Sequence, residues 1–458
     1  MTQKNSKVSR RAFLSNAAII GASGTLGAGS LLTSCSGSGN KYTPLRPMSE
    51  VYIPDLPDKA MDGKPIKAAL IGCGGRGTGA AFNFLDAGDG LSIVSCADVL
   101  QDKIDLCRKN LKEKKNQEID DANCFLGFDA YKKAIDAPGV DLVMICSPGV
   151  FHPDHLQYAI DKGKHVFCEK PPAIDAVGYR KFMVAVKQAQ AKNLCLVMGT
   201  HLRHHRGYVE AYRKIQEGYI GRIVAGNVYW CQKHSHYLRQ RPEWTDIEYM
   251  LRSQFCWIWT SGSILVDQLL HNVDVFTWFS HLKPVRAIGT GSSQRRMMGD
   301  VYDVYSVDIE YEGGVHLHAM ERQMDGCDGI TGEYIQGTKG TFDNIGKKFT
   351  ILDHDGNVIW KYDQEAANEQ FKEHNAYCLE HVNLVNHLRQ GKVINMGEAV
   401  SVSVMACLMA REAAYSGKFY TWDHIIKSDQ NFMPADLALK NVDMSKYTVP
   451  VQGSVPKV

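Results

Sequence analysis

Residues 72–77 read Gly-Cys-Gly-Gly-Arg-Gly; they follow a short apolar run and precede a stretch with helical periodicity. Glycines at this spacing permit a tight strand-to-helix turn, and a side chain at Gly74 would obstruct the approach of a pyrophosphate. The phosphates of a nucleotide would then lie at the N-terminus of the helix. Asp98 lies 21 residues after Gly77, where a carboxylate accepts hydrogen bonds from the adenosine ribose and repels a 2′-phosphate. The pattern therefore predicts a dinucleotide site and favours NAD over NADP.

A second pair of reactive side chains lies in the middle of the chain. Asp267 and His271 are four residues apart in a segment with helical character, so they are predicted to share one helix face. A histidine titrates near neutral pH and can accept the hydroxyl proton when a secondary alcohol loses a hydride. A carboxylate beside it can orient the imidazole or bind a neighbouring hydroxyl. The same pair, taken alone, is also typical of a structural hydrogen bond.

Two further segments place polar residues directly after apolar runs. Residues 147–152 read Ser-Pro-Gly-Val-Phe-His, and residues 163–171 read Gly-Lys-His-Val-Phe-Cys-Glu-Lys-Pro. Their order and spacing resemble the Gfo/Idh/MocA family, in which Ser/Thr-Pro is followed by a histidine and, after a short helix, by Glu-Lys-Pro. The resemblance covers roughly residues 65–425 and is strongest in the first half. It implies an oxidoreductase that uses a nicotinamide cofactor and acts on a sugar.

The resemblance also assigns roles to residues. The lysine ammonium of the Glu-Lys-Pro segment would hydrogen-bond the reacting oxygen and stabilise a developing alkoxide. The implied catalytic set is Lys170, Asp267 and His271. The cofactor-binding set, from the glycine turn and the resemblance, is Gly72, Gly74, Gly75, Arg76, Gly77, Asp98, Ser147, Pro148, His152, Glu169 and Lys170. Side chains expected to line the sugar pocket are Arg203, His204, Tyr237 and Trp257.

The elements that must position these residues fall into two regions. Short apolar runs alternate with helical stretches from residue 65 to 198, which predicts an α/β Rossmann domain with a parallel sheet covered on both faces. From residue 199 to 425 consecutive strands dominate, and a Glu-Gly-Gly turn at 312–314 joins two of them. This region is predicted to be an α+β substrate and oligomerisation domain with a mostly antiparallel open sheet. Residues 426–458 are predicted to form a C-terminal tail.

The N-terminus has the features of an export signal. Residues 9–14, Ser-Arg-Arg-Ala-Phe-Leu, resemble a twin-arginine motif, and a weakly apolar run ends at Leu-Thr-Ser-Cys, residues 32–35. Small residues before Cys35 are typical of a lipoprotein cleavage site. Residues 1–35 are therefore predicted to be an export signal, and residues 36–64, rich in Gly and Pro, a tether. The expected location is the periplasm or cell envelope, with a lipid anchor at Cys35.

Composition excludes several other classes. The formal net charge of +2 gives no basic field for nucleic acid. The 13 cysteines include no CxxC pair and no zinc spacing, and Cys73, Cys96, Cys146 and Cys168 lie in or beside apolar runs, so free buried thiols are expected. Three histidines within residues 201–205 lack matching carboxylates, so no metal site is predicted.

Three functions are consistent with these features. The first is oxidation or reduction of a ring hydroxyl of a sugar or glycoside, with a tightly bound NAD that travels with the folded protein during export. The second is NAD-dependent glycoside cleavage, which resembles family 109 glycoside hydrolases; those generally carry valine where this chain has Lys170, which favours the first. The third is a non-catalytic sugar-binding protein. By resemblance, the chain is expected to form a dimer or tetramer.

Overall fold

Short buried strands build a parallel sheet in the first region. The computed structural model describes residues 42–234 and 237–453. The strands are β1 (Ile66–Ile71), β2 (Leu91–Asp98), β3 (Cys124–Leu126), β4 (Leu142–Ile145), β5 (His165–Cys168) and β6 (Leu196–Met198). Their spatial order is β3-β2-β1-β4-β5-β6, so the strand order reverses between β1 and β4. Ligands bind at the carboxyl edge of such a sheet, beside this switch point. The predicted Rossmann sheet is confirmed.

Helices connect these strands and cover both faces of the sheet. They are α1 (Gly75–Asp86), α2 (Gln101–Lys115), α3 (Ala130–Ile135), α4 (His152–Asp161) and α5 (Ala176–Ala191). The interior residues of β1 and β4 are buried, with alanine, leucine, valine and methionine side chains fully removed from solvent. That two-sided burial explains why the strands appear in the sequence as continuous apolar runs.

The second region is built on a nine-stranded sheet. Its strands are β7 (Ile223–Gln232), β8 (Pro284–Ser292), β9 (Val304–Tyr311), β10 (Val315–Gln323), β11 (Ile330–Gly337), β12 (Gly340–Asp343), β13 (Thr350–Asp353), β14 (Val358–Lys361) and β15 (Tyr420–Thr421). The order is β14-β13-β12-β11-β7-β10-β9-β8-β15, and all neighbours are antiparallel except β7 and β10. Alternate residues of β9 are buried, so one face lies on the core and the other is partly open. The predicted, mostly antiparallel sheet is confirmed.

Some helices of this region pack on the nine-stranded sheet, and others line the cleft or contact the Rossmann domain. They are α6 (Arg206–Gln216), α7 (Asp246–Arg252), α8 (Ile258–Ser261), α9 (Leu270–Ser280), α10 (Gln364–Gln370), α11 (Ala376–Gln390), α12 (Gly397–Ser416) and α13 (Trp422–Lys427). Asp267 and His271 were predicted to share one helix face. Instead, a π-helical segment, Leu265–Leu269, leads into α9. Single π turns are rare and often lie at functional sites.

Chain segments outside the two sheets also pack against them. The described part of the predicted tether, residues 42–64, buries Val51, Leu56 and Ala60. The Tyr52 hydroxyl donates to Asn383 Oδ1 at 3.0 Å. These apolar side chains are too few to stand out in the sequence, yet they anchor this segment to the folded body. The predicted export signal and Cys35 lie outside the described residues.

Later parts of the chain return to the Rossmann sheet. Residues 394–396 run beside β6, with the Leu196 N–H donating to the Ile394 carbonyl at 2.8 Å. The preceding helix, α11, packs on α1, so residues near 380 reach the cofactor-binding turn. Among the described helices, none is long and apolar enough to cross a lipid bilayer.

Candidate active site

A cleft of about 740 Å³ opens at the carboxyl edge of the parallel sheet. The turn after β1 and the loops after β2, β4 and β5 form one side. The π segment, β7 and the loops around α7 and α8 form the other. The cleft therefore lies at the switch point between β1 and β4, where the topology places ligands.

The glycine turn after β1 has the geometry of a phosphate cradle. Gly72 has a φ of +93°, and a Cβ at Gly77 would lie 1.8 Å from the Gly72 carbonyl oxygen, so both positions require glycine. A Cβ at Gly74 or Gly75 would meet no protein atom within 4 Å. That open space lies directly before the first turn of α1, where unpaired backbone N–H groups bind anions. The turn therefore fits the pyrophosphate of a dinucleotide.

Asp98 ends β2 and holds the turn in place from the other side. Its Oδ2 accepts from the Cys73 N–H at 2.7 Å, and its Oδ1 accepts from the Leu100 N–H at 2.9 Å. Burial raises the pKa of Asp98 above its usual value, although both backbone donors favour the charged form. Each oxygen keeps a second lone pair for a ribose hydroxyl.

The loops after β4 and β5 are joined to each other behind the cleft. His152 Nδ1 lies 2.8 Å from the Pro171 carbonyl and its Nε2 lies 2.6 Å from the Ser147 carbonyl. Ser147 lines the cleft, and its hydroxyl lies 3.0 Å from His155 Nδ1. His152 is buried and does not line the cleft, so it positions the loop instead of facing the cofactor space.

Arg76 and Glu169 form a charged pair across the cleft floor. Arg76 Nε donates to Glu169 Oε1 at 2.5 Å, and the guanidinium stacks over the Tyr377 ring with its carbon 4.4 Å from the ring centroid. Glu169 is buried, and its second oxygen, Oε2, accepts from the Lys170 N–H at 3.2 Å. The pair orients the start of the Glu-Lys-Pro segment.

Three reactive side chains meet where this segment faces the π segment. Lys170 Nζ lies 3.0 Å from Asp267 Oδ2 and 2.7 Å from the Asp267 carbonyl oxygen. The Lys170 side chain is 17% exposed and that of Asp267 is 8% exposed, so this ion pair faces the cleft from a largely dry wall. His271 lines the same cleft. The sequence predicted this trio from spacing and resemblance, and the structure brings all three together.

His271 is held in the neutral state. Burial is the main cause of a pKa well below the usual histidine value, and His201 and Lys170 add to the shift. Its Nδ1 is buried with no hydrogen-bond partner among the described residues, and its ring lies 4.6 Å from the His201 ring and 6.0 Å from the Trp230 ring. A neutral imidazole has one nitrogen free to accept a proton.

Beside Asp267, three donors converge on a single amide. Gln268 Oε1 accepts from Trp230 Nε1 at 3.0 Å, from Gln232 Nε2 at 3.1 Å and from Gln323 Nε2 at 2.7 Å. Because an indole N–H can only donate, the atom that faces it must be the amide oxygen. Gln268 also lines the cleft, and the three donors hold its Oε1, which leaves the Nε2 group to donate elsewhere. The Gln268 amide therefore presents an N–H donor to the cleft in a fixed orientation.

Family descriptions match both halves of this architecture. The family model described as "Oxidoreductase family, NAD-binding Rossmann fold" matches residues 66–199. The model described as "GFO/IDH/MocA C-terminal domain" matches residues 208–343. Together they cover more than half of the chain. The chain belongs to the Gfo/Idh/MocA family.

Individual relatives are distant. The 1,5-anhydro-D-fructose reductase of Ensifer adhaerens is 27% identical over 46% of this chain and 58% of its own length. The chain thus spans little more than half of that relative. The scyllo-inositol 2-dehydrogenase (NAD(+)) of Bacillus subtilis is 26% identical over 71% of this chain and 87% of its own length. Glycosyl hydrolase family 109 protein 3 of Phocaeicola vulgatus is 28% identical over 29% of this chain and 23% of its own length.

Among solved structures, the fold matches apo scyllo-inositol dehydrogenase from Lactobacillus casei. The TM-score is 0.59 at 19% identity, and the match covers 79% of this chain and 100% of that chain. At this low sequence identity, the structural match shows that the two chains share a fold.

The four residues predicted to line the sugar pocket do not line the cleft of this Gfo/Idh/MocA protein, which corrects that expectation. Arg203 makes two hydrogen bonds to Asp274, at 2.7 and 2.9 Å, in a buried ion pair. His204 is buried with its Nε2 lying 3.0 Å from Asn383 Nδ2. Trp257 is buried and donates to Ser253 Oγ at 3.0 Å, while Tyr237 lies outside the cleft wall. The Arg203 guanidinium, the His204 Nε2 and the Trp257 indole N–H are thus bonded to partners within the fold.

Other residues take that place. The second region lines the cleft with other side chains: Trp230, Gln232, Thr260, Ser261, Gln268 and Tyr377. Gln268 could have been noticed as the neighbour of Asp267. Tyr377 comes from a distant helix, and no local pattern marks it.

Proposed function

We propose that this chain transfers a hydride between NAD and a ring hydroxyl of a sugar, glycoside or related cyclic polyol. The observation that carries the proposal is the Lys170–Asp267 ion pair, with Nζ and Oδ2 3.0 Å apart, which lines the same cleft as His271 and the glycine turn. The inositol and sugar oxidoreductases among the relatives support this substrate class.

The residues present fit the cofactor. The open space at Gly74 and Gly75 and the N-terminus of α1 would hold the pyrophosphate, and Asp98 would hold the adenosine ribose. The Asp98 carboxylate would repel a 2′-phosphate, so NAD is favoured over NADP. When bound, NAD supplies the hydride acceptor, and its reduced form supplies the donor.

The three reactive side chains have separate roles toward the substrate. The Lys170 ammonium donates a hydrogen bond to the substrate oxygen and stabilises its developing negative charge. His271 accepts the hydroxyl proton on a ring nitrogen that has no hydrogen-bond partner among the described residues. Asp267 fixes the Lys170 ammonium and offers its carboxylate to a neighbouring substrate hydroxyl.

The cofactor is proposed to be tightly held and exported with the folded chain, because free nicotinamide nucleotide is scarce outside the cytoplasm. This proposal rests on the twin-arginine-like motif at residues 9–14 and on Cys35 as a lipid attachment site. A retained cofactor must be returned to its starting state. Oxidising one alcohol removes a hydride and a proton, and reducing the carbonyl carbon of a second sugar takes up the same two.

The test begins with the cofactor itself. We expect purified protein, once denatured, to release about one equivalent of NAD(H) per chain and little NADP(H), as measured by mass spectrometry. The intact protein should then oxidise members of a panel of inositols and glycosides when a keto-sugar acceptor is added. Cleavage of a glycoside without any acceptor would instead favour the family 109 type of activity. Binding of a panel sugar with no turnover, with or without the acceptor, would support the non-catalytic alternative.

Gln268 is expected to determine substrate affinity. The change Gln268→Glu keeps an acceptor for Trp230, Gln232 and Gln323 but replaces the donating NH2 group with a carboxylate oxygen. Losing a donor to a substrate hydroxyl costs about 1–3 kcal/mol, so we expect the KM for the best sugar of the panel to rise by about 10-fold or more. The measurement is steady-state kinetics with saturating cofactor.

The matched control for this change is Gln364→Glu, which adds the same charge at an exposed position on α10. It should leave KM unchanged. The affinity for NAD should change little in either variant, because Gln268 faces the end of the cleft near Asp267. An unchanged KM in Gln268→Glu would contradict the assignment.

The open face of the nine-stranded sheet is proposed as the surface through which copies of the chain associate into a dimer or tetramer. Alternate residues of β9 and β10 face away from the core and are half-buried or exposed, which leaves this face available. Sedimentation analysis of the purified protein would decide between monomer and oligomer.

A further inference from the structure

Helix α7 forms a wall over the adenosine end of the cofactor cleft. Leu251 and Arg252 from this helix, and Phe255 from the 3-10 turn that follows it, line the same cavity as Asp98 and Phe128. Asp98 is the residue proposed to bind the ribose. This wall comes from the second region of the chain, so the nucleotide end of the cleft is covered by an element outside the Rossmann sheet.

A bidentate ion pair joins this wall to the Rossmann domain. Both guanidinium nitrogens of Arg252, Nη1 and Nη2, donate to the carboxylate of Asp102, each at 2.8 Å. Asp102 is the second residue of α2, four residues after Asp98. Paired N–H donors that match a carboxylate give a stronger and more directional contact than a single ion pair. The bridge therefore spans the cleft mouth beside the proposed ribose site.

The Arg252 side chain is also held in position by two contacts on its own side of the cleft. Its Nε donates to Glu248 Oε1 at 2.9 Å, one helical turn earlier, and its guanidinium carbon lies 4.8 Å from the Trp244 ring centroid. The side chain is 11% exposed, whereas that of Asp102 is 56% exposed. A long side chain that is already fixed loses little conformational entropy when the bridge forms.

The C-terminal segment supports the wall from behind. The Asp246 N–H donates to Asn441 Oδ1 at 3.1 Å, and the Val442 N–H donates to Asp246 Oδ2 at 3.0 Å. The Ile247 N–H donates to the Lys440 carbonyl at 3.2 Å. Helix α7 is thus attached on one side to the tail and on the other to α2.

We propose that the Arg252–Asp102 pair is a clamp that controls cofactor release: NAD leaves the cleft only when this bridge opens. Arg252 is a positioning residue in this role, since it acts by holding α7 over the nucleotide. The inference rests on the proposed function, because it requires NAD to occupy the cleft. It gives a physical basis for a cofactor that stays bound through successive turnovers.

The test measures cofactor exchange and needs no sugar. Purified protein containing NAD is mixed with excess isotopically labelled NAD, and the labelled fraction on the protein is followed by mass spectrometry after rapid desalting. We expect Arg252→Met and Asp102→Asn to exchange at least about 10-fold faster than the wild type, since changes in affinity are usually changes in release rate. Asp102→Glu keeps a carboxylate and should exchange close to the wild-type rate.

One control separates the clamp from general loosening. Lys427→Met breaks an exposed ion pair with Asp423 on α13, where Nζ and Oδ2 are 2.9 Å apart, and should leave exchange unchanged. Asp102 is mostly exposed, so Asp102→Asn tests the bridge even if Arg252→Met fails to fold.

The outcomes distinguish the clamp from the proposed function. Wild-type exchange rates in both Arg252→Met and Asp102→Asn would overturn the clamp while leaving a retained cofactor in place. A wild type that oxidises sugars with added NAD but exchanges it within seconds would overturn retention and the clamp, and leave hydride transfer standing. A wild type that binds no NAD at any concentration would overturn the proposed function itself.

Discussion

Replacing Lys170 with methionine is expected to reduce kcat for sugar oxidation by about 10²–10³-fold, the usual effect of removing one preorganised donor to a developing oxyanion. Methionine keeps most of the aliphatic length of the side chain but has no ammonium group to donate to the substrate oxygen. Lys170 Nζ lies 3.0 Å from Asp267 Oδ2, so the same change also removes an ion pair from a largely buried carboxylate. The rate is measured by stopped-flow absorbance of the reduced nicotinamide.

The control is Lys187→Met, which removes an exposed lysine from α5 and should leave the rate unchanged. The glycine turn and Asp98 are untouched by Lys170→Met, so we expect the NAD content of the variant to match that of the wild type. A variant with full NAD content and wild-type kcat would remove Lys170 from the catalytic set. A variant lacking NAD would show instead that Lys170 mainly holds the cofactor.

Much of the Rossmann half could be predicted because each reactive residue directly follows a strand. Gly72 follows β1, Asp98 ends β2 and Glu169 follows β5, so local apolar runs were enough to place all three at one edge of the sheet. Strand β3 could not be predicted in this way, because its apolar run, Cys-Phe-Leu, is only three residues long. The same logic placed Lys170 correctly at the cleft.

The sugar end of the cleft could not be predicted in this way. Arg203 is charged and lies in a histidine-rich segment, which favours a binding role, yet its guanidinium is paired with Asp274 inside the fold. Trp230 and Gln268 face the cleft because β7 and the π segment meet there, a contact between residues 38 apart in the chain. Spacing alone predicted a common α-helical face for Asp267 and His271. The π turn between them is a property of tertiary packing.

The change Gly74→Val is expected to leave the fold intact and to weaken the binding of NAD. Gly74 has a φ of −67° and a ψ of −173°, an extended conformation that valine adopts readily, and its Cβ would meet no protein atom within 4 Å. Replacing a glycine at a compatible position reduces the freedom of the unfolded chain, which stabilises the fold by about 0.4–1 kcal/mol in the case of alanine. The melting temperature of the cofactor-free protein should therefore be unchanged or slightly higher.

The same valine would occupy the space proposed for the pyrophosphate. We expect the affinity for NAD to fall by at least about 100-fold, which corresponds to about 2.8 kcal/mol, as measured by calorimetric titration of cofactor-free protein. Gly79→Ala, in helix α1 after the turn, is the control and should bind NAD normally, because its Cβ would lie 3.7 Å from the nearest side-chain atom. Gly77→Ala should do the opposite of Gly74→Val and lower the melting temperature, because its Cβ would lie 1.8 Å from the Gly72 carbonyl oxygen. If Gly74→Val binds NAD as the wild type does, the pyrophosphate cannot lie at this turn, and the glycines at 72 and 77 serve the fold alone.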